Sequence, residues 1–444
     1  MIINKMSSKK LKKIELLSPA GNFEKLKYAL AFGADAVYCG LPAFSLRSRL
    51  NDFTPAKLKE TIEYVHQQKK KIYLTLNIYA HNRHLKAVIN NLKLLKKLQP
   101  DGVIISDPGI IVLARKILPK NIKLILSTQA NCTNFATAKF WYDQGIRRII
   151  LAREVTLDEI KEIKKQVPKL ELEIFVHGAM CMSYSGRCLL SAWLSSPRSA
   201  NLGDCTQPCR WKYKTKNIQA ELEEEFRPGE AIPIEQDEHG TYILNSKDLC
   251  LIKYLDQIIK AGVDSIKIEG RTKSVAYVAA VTKIYRTALE LGIMNSELRN
   301  KEINKLYKEL EKISNREFTA GFVFGEQEKM QYYPSSYKGS EYEFVGQVLG
   351  KFKVESAKLK IKESLRDGLF YKIKIHNVLR LGQIVEFVPP VGGNFKLKIN
   401  NMIDADTGER IKEVHGGQEK AIWFKSKLNI PKMTILRLSD KIKS

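Results

Sequence analysis

Four cysteines, Cys181, Cys188, Cys205 and Cys209, fall within one polar, glycine-punctuated stretch, EIFVHGAMCMSYSGRCLLSAWLSSPRSANLGDCTQPCRW. The remaining three, Cys39, Cys132 and Cys250, are scattered singly in hydrophobic context. Buried structural cysteines sit inside apolar runs, as Cys39 does after DAVY. Thiols gathered in loops of a chain without secretory features point to metal or cluster binding rather than disulfides. A four-thiolate set suits an iron–sulfur cluster. Four-cysteine zinc is the competing reading, although gaps of six, sixteen and three residues lack paired CxxC knuckles. A chain with no metal is the third. Cys250, in KDLC, could replace one ligand, but Leu249 and Leu251 beside it favour a buried helix position. Two further groups could move protons. His177 precedes Gly178 at the end of a strand-like run and could act as a general acid or base near neutral pH. Glu269, in KIEGR, could transfer a proton or orient Arg271.

The elements that must position these groups recur along the chain. Eight short β-branched and apolar runs begin at residues 14, 35, 71, 102, 123, 148, 172 and 264. Helical patterns such as NFEKLKYALAFGA, PAKLKETIEYVHQQKK and TLDEIKEIKKQ sit between them. Alternation of this kind predicts an α/β fold, a (β/α)8 TIM-like barrel with a doubly wound open sheet as the alternative. The expected organisation is a basic arm over 1–13, a barrel over 14–290 with a cysteine-rich insertion at 179–245, a helical linker over 291–338, and a small C-terminal all-β barrel over 339–444. The acidic island 219–240 reads as an exposed hairpin. In a (β/α)8 barrel the loops at the C-terminal strand ends build the active site. The cysteine segment follows the seventh run and would overhang that mouth. Asn22, Asn77, Asp107, Gln129, Arg153, Glu154, His177, Glu269 and Arg271 would converge there, about half of them as helix caps.

Composition bounds the function class. The chain has 444 residues, 44% hydrophobic and 27% charged, the profile of a globular protein. No signal-peptide core precedes the first strand and no window approaches a membrane span, which predicts a cytoplasmic protein without membrane contact. A net charge of +26, from 74 Lys+Arg against 48 Asp+Glu, favours a polyanionic partner, because phosphate neutralisation releases counterions. Strands such as YKIKI alternate lysine with apolar residues, so a basic face of the β-domain could follow a nucleic-acid backbone.

The blocks ELLSPAGNFEKLKYALAFGADAVYCGL, EIFVHGAMCMSYSGRCLLS, GDCTQPCRW, LNSKDLC and DSIKIEGRTKS resemble the signature of the U-thirty-two, or collagenase-like, peptidase family. The resemblance covers most of 14–290, and the β-rich tail is similar to the family's C-terminal domain. Length and tail are most similar to the family's tRNA hydroxylation protein P group. That resemblance implies formation of 5-hydroxyuridine at the tRNA wobble position, with prephenate as oxygen source and a 4Fe-4S cluster on Cys181, Cys188, Cys205 and Cys209. Sister groups imply ribosomal RNA cytidine hydroxylation as another outcome. A dicarboxylate such as prephenate needs cations with planar forks, and Arg47 in FSLRSR and Arg271 are the candidates to bind it.

Two further readings stand beside this one. Peptidase activity follows from the family name, yet there is no HExxH helix and no GxSxG elbow. It would require Cys181 as nucleophile with His177 as base. A non-catalytic RNA-binding assembly factor, working with a partner protein, is the third.

Overall fold

The computed structural model describes residues 14–41, 53–181, 183–184, 188, 190, 194, 205–211, 213, 221–222, 232–233, 245–293, 296–325, 330–332, 334–352, 369–417 and 419–439. The basic arm 1–13, Arg47, most of the insertion and the expected strand AKLKIK lie outside these residues.

Seven strands alternate with helices in the first half: β1 (Glu15–Pro19), β2 (Ala36–Gly40), β3 (Lys71–Leu76), β4 (Gly102–Ile105), β5 (Lys123–Leu126), β6 (Arg148–Ile150) and β7 (Glu171–Ala179). The helices are α1 (Phe23–Ala31), α2 (Pro55–Gln67), α3 (Leu85–Leu98), α4 (Pro108–Ile117), α5 (Phe135–Asp143) and α6 (Leu157–Gln166). Within the insertion, β8 (Glu221–Leu222) pairs antiparallel with β9 (Ile232–Pro233). Next come β10 (Asp248–Cys250), α7 (Leu255–Lys260), β11 (Ser265–Ile268), α8 (Val275–Glu290), α9 (Ser296–Glu311) and β12 (Phe318–Thr319). Strands β1 to β7 and β11 pair in parallel throughout, and β11 bonds both β7 and β1, which closes an eight-stranded barrel. The open-sheet alternative is excluded by that closure.

Local sequence explains the starts of these helices. Thr156 and Glu159 form a reciprocal capping box on α6, while Asn22 and Asp107 cap α1 and α4 with their side chains. Asn22 and Asp107 are thus helix caps rather than mouth residues. Outward side chains of the strands, such as Leu16, Val37, Leu74, Val103 and Leu172, pack under the helices in the main core. Inward ones, including Leu17, Tyr38, Tyr73, Ile104, Ile125 and Ile150, fill the barrel.

Beyond the barrel β10 runs antiparallel to the end of β7, with Cys250 opposite His177, and β12 adds to β10 in parallel. The segment expected as a helical linker therefore packs onto the barrel: Ile303 and Leu310 of α9 belong to the main core. Cys250 lies on a strand, not on the helix the sequence suggested, because pairing with β7 overrides the local apolar pattern.

The C-terminal region is all β: β13 (Tyr342–Phe352), β14 (Leu369–Ile375), β15 (Leu379–Arg380), β16 (Ile384–Val388), β17 (Phe395–Lys398), β18 (Ile403–Asp404), β19 (Glu413–Val414), β20 (Ala421–Ser426) and β21 (Ile435–Ser439). Seven of these form one antiparallel sheet in the order β17-β16-β21-β13-β14-β20-β18, over a core that includes Val348, Tyr371, Ile373, Phe387 and Leu436. Val388 and Ile435 pack on Tyr28, Phe32, Val275 and Ala279 of the barrel helices. Polar ties join the same surfaces: Gln347 Nε2 donates to Glu24 Oε1 at 2.6 Å and Lys283 Nζ to the Pro389 carbonyl at 2.8 Å.

Candidate active site at the barrel mouth

The floor of the barrel is an ion network. The Arg148 guanidinium reaches Glu15, Glu171 at 2.7 Å and Glu173 at 3.0 Å, and Lys267 Nζ reaches Glu173 at 3.1 Å. Glu15, Arg148 and Glu171 open their strands, so this network closes the N-terminal end of the barrel. Burial works to raise the Glu15 pKa, but Arg148, Lys71 and the Tyr73 hydroxyl together outweigh it and hold the carboxyl below its usual range.

Above the floor the mouth has two unlike halves. On one side Lys267 lies 4.2 Å from the Tyr38 ring centroid, and the Arg271 guanidinium lies 5.8 Å from the same ring. Arg271 Nη1 donates to Thr75 Oγ1 at 3.1 Å, reaching from the end of β11 to β3. Arg153 stacks over Phe175 at 4.1 Å. On the other side stand buried hydroxyls and carboxamides at the ends of β3, β4 and β5. Asn77 Nδ2 donates to Ser127 Oγ at 3.3 Å, and Ser106 Oγ donates to Gln129 Oε1 at 3.3 Å. Lys267 is paired with Glu173, so the arginines Arg271 and Arg153 are the cations of this half. Beside the neutral hydrogen-bonding groups they suit an anion next to a polar ring.

Close backbone approach holds Arg271 there. A Cβ on Gly21 would stand 2.1 Å from the Arg271 carbonyl oxygen, so only glycine lets the β1–α1 loop pass. Lys25 Nζ donates to that same carbonyl at 3.4 Å.

His177 stands apart from the mouth. In β7 the register to β11 slips by one residue: Phe175 pairs with Lys267, but His177 pairs with Ile268. This bulge at Val176 turns the imidazole to the outer layer, where Tyr285, Phe318 and Tyr277 surround it at centroid distances of 5.4, 5.6 and 6.1 Å. Nδ1 lies 3.4 Å from the Tyr285 hydroxyl, which itself donates to the Val176 carbonyl at 2.8 Å. Burial, helped by Lys273, pulls the imidazole pKa down to about 3. The acid–base role expected near neutral pH therefore conflicts with this burial, and among the described residues no hydrogen bond joins His177 to Cys181. Cys250 sits in the same pocket, 3.8 Å from the Tyr285 hydroxyl, with burial raising its pKa to about 11.

Glu269 leaves β11 beside this pocket. Its N–H donates to the His177 carbonyl at 2.9 Å, and its carbonyl accepts from the Tyr277 hydroxyl at 3.2 Å. Its carboxylate acts electrostatically on His177, Lys273 and Tyr277. Glu269 thus belongs to the boundary between the mouth and the cysteine loop.

The four cysteines follow β7 directly. Cys181 and Cys205 are exposed, Cys188 and Cys209 half-buried. Burial raises the Cys209 pKa, Arg210 opposes it, and Cys181, Cys205 and Cys188 each add to the rise. The four thiols therefore share one electrostatic neighbourhood. The Gln207 N–H points at Cys205 Sγ at 3.4 Å. Among the described residues no three His, Cys, Asp or Glu side chains are grouped tightly enough to hold one metal ion.

Lys267 is the mouth residue that sequence reading passed over. Its signal was present: a lysine between Ile266 and Ile268 in a buried strand must have a buried partner, which is Glu173 of β7.

Comparison with known proteins agrees with this layout. Residues 21–332 match peptidase family U32, and residues 340–437 match the peptidase family U32 C-terminal domain. The "tRNA hydroxylation protein P" of Haemophilus influenzae is 39% identical over 440 residues, spanning 89% of this chain and 92% of that protein. Its Escherichia coli namesake is 40% identical over 421 residues, spanning 87% and 88%. The Escherichia coli "23S rRNA 5-hydroxycytidine C2501 synthase" is 37% identical over 278 residues, which is 63% of this chain and 39% of that protein. With both its barrel and its β-domain matched, the chain belongs to peptidase family U32.

Proposed function

We propose that this protein is an RNA-modifying enzyme that hydroxylates uridine at C5 in the wobble position of tRNA, with prephenate as the oxygen source and a 4Fe-4S cluster on Cys181, Cys188, Cys205 and Cys209. The observation that carries the reading is Arg271. It spans the barrel mouth from the end of β11 to Thr75, beside Lys267 over one tyrosine ring. Hydroxylating relatives matched over nearly their whole length support the reaction class.

Arg271 would hold a carboxylate of the small co-substrate, its planar fork matching two oxygens. Arg47, outside the described residues, is the second proposed carboxylate ligand. The hydroxyl and carboxamide half, Asn77, Ser106, Ser127 and Gln129, would face the flipped-out base. Glu269 is the remaining candidate for a proton at the boundary of the loop. A thiolate-held cluster supplies one-electron chemistry when bound. Four thiols in one neighbourhood with an N–H directed at Cys205 suit such a group.

The test is nucleoside mass spectrometry of tRNA and ribosomal RNA from a deletion strain carrying wild-type or variant genes. Loss of 5-hydroxyuridine in the deletion, restored by wild type and not by Arg271→Ala, is expected. Arg271→Ala should keep the iron content, whereas Cys188→Ser should lose it. A deletion strain with unchanged RNA nucleosides would remove the proposal.

A further inference from the structure

The outer face of β13, β14 and β20 interleaves aromatic rings with lysines. Strand pairing sets Phe352 beside Phe370 and Phe370 beside Lys425, while one register step along, Lys372 stands beside Trp423. The alternate residues of β14, Tyr371, Ile373 and Ile375, point into the domain core, so Phe370, Lys372 and Lys374 share the opposite face. The rings touch: Phe352 meets Trp423 edge to face at 5.3 Å between centroids. Lysines lie over them, Lys372 at 5.8 Å from the Trp423 ring and Lys425 at 5.9 Å from Phe370. Phe352 is 44% exposed at the end of its strand. Trp423 beside it is half-buried and Phe370 is buried beneath the lysines, so the rings form one continuous aromatic surface with Phe352 at its open end.

The position of this face matters as well. The sheet docks on the barrel through Val388 of β16 and Ile435 of β21, whereas β14 and β20 lie on the other side of β13 in the strand order. The face is thus distinct from the docking edge. Among the described residues Glu419 pairs with Lys374 at 3.7 Å and is 89% exposed, a partner that a phosphate can displace.

We propose that Trp423, Phe352, Lys372, Lys374 and Lys425 form a stacking platform for unpaired nucleotides of the RNA substrate, separate from the barrel mouth. Rings that stack on any base, flanked by cations at phosphate distance, are the combination that binds single-stranded RNA without reading sequence. Charge complementarity favours this occupant over an acidic protein surface, because the aromatic rings need flat partners and the chain carries a net charge of +26. The inference rests on RNA being the substrate of the mouth.

The experiment measures affinity of the full-length protein for an oligouridylate and for an unmodified tRNA transcript across a salt series. Trp423→Ala should weaken oligouridylate binding about tenfold with the salt slope unchanged, and Trp423→Phe should recover most of it. Lys372→Gln combined with Lys374→Gln and Lys425→Gln should reduce the slope of log affinity against log salt by about 2. Melting temperatures of the variants show whether the domain remains folded, and the Trp423→Phe protein serves where the alanine variant does not. Wild-type affinity and slope in both folded variants overturn the platform. If 5-hydroxyuridine formation still depends on the gene in that case, the proposed function stands without it. If the wild-type protein binds neither RNA, both readings fall together.

Discussion

His177 sits at the end of a barrel strand, the position from which a histidine would reach substrate, yet one extra residue in β7 sends it the other way. Its low pKa has a thermodynamic consequence. The unfolded imidazole takes up a proton near pH 6.5 while the folded one stays neutral until about pH 3. Folding is therefore fully supported above pH 6.5, and this support is lost as pH falls toward 3. Each unit below 6.5 costs roughly 1.4 kcal/mol from this group. His177→Gln, which keeps a donor toward Tyr285, should flatten the stability difference between pH 7.5 and 5.5 measured by urea titration. It should leave the shape of the activity–pH profile unchanged. A neutral-pH limb that disappears in His177→Gln would restore the histidine as an acid or base. Arg271, three residues beyond β11, behaves oppositely: its side chain reaches across the mouth to Thr75.

At the scale of elements, two glycines govern the mouth and the cysteine loop separately. Gly178 adopts φ +107°, and a Cβ would meet Glu269 Cβ and carbonyl oxygen at 2.9 Å. Gly178→Ala must therefore push the start of the cysteine loop away from β11, at a cost of order 1–3 kcal/mol. Gly21→Ala instead displaces the Arg271 backbone. We expect Gly178→Ala to lose iron and activity together, and Gly21→Ala to lose activity with iron retained. Iron analysis and hydroxylation measured on the same preparations separate the two, and equal iron loss in both would contradict this division.

The eight barrel strands were legible in the sequence because each is a short apolar run flanked by helical periodicity. The place of the cysteine segment directly after β7 was legible because a polar, glycine-punctuated run follows the seventh apolar one. What was not legible depended on pairing between distant segments. Nothing local in KDLC announces that Asp248–Cys250 pairs with β7, and no residue near His177 announces a bulge that is defined only against β11. The short strands β15, β17, β18 and β19 likewise exist through partners rather than through their own pattern.

At the scale of the whole molecule, the β-domain is also a lid on the apolar surface of the barrel. Tyr28, Phe32, Val275 and Ala279 on α1 and α8 are buried against Val388 and Ile435. Arg437 closes the same interface with an ion pair to Glu309 at 2.9 Å. Removing residues 339–444 would expose two aromatic rings, and a fully buried large side chain contributes roughly 1.5–3 kcal/mol. The truncated barrel should therefore melt well below the full-length protein, so lost RNA binding in a deletion cannot by itself be assigned to the β-domain surface. A substitution at the interface tests the coupling without removing the domain. Val388→Asp replaces an apolar contact with Tyr28 and Phe32 by a carboxylate that must be desolvated to stay there. Calorimetry should show one cooperative transition for the native protein and two for Val388→Asp, with iron retained by the barrel until its own transition. If the truncated barrel and the full-length chain melt at the same temperature, the interface contributes nothing to barrel stability. In that event the two regions act as independent bodies, joined only through the chain between α9 and β13.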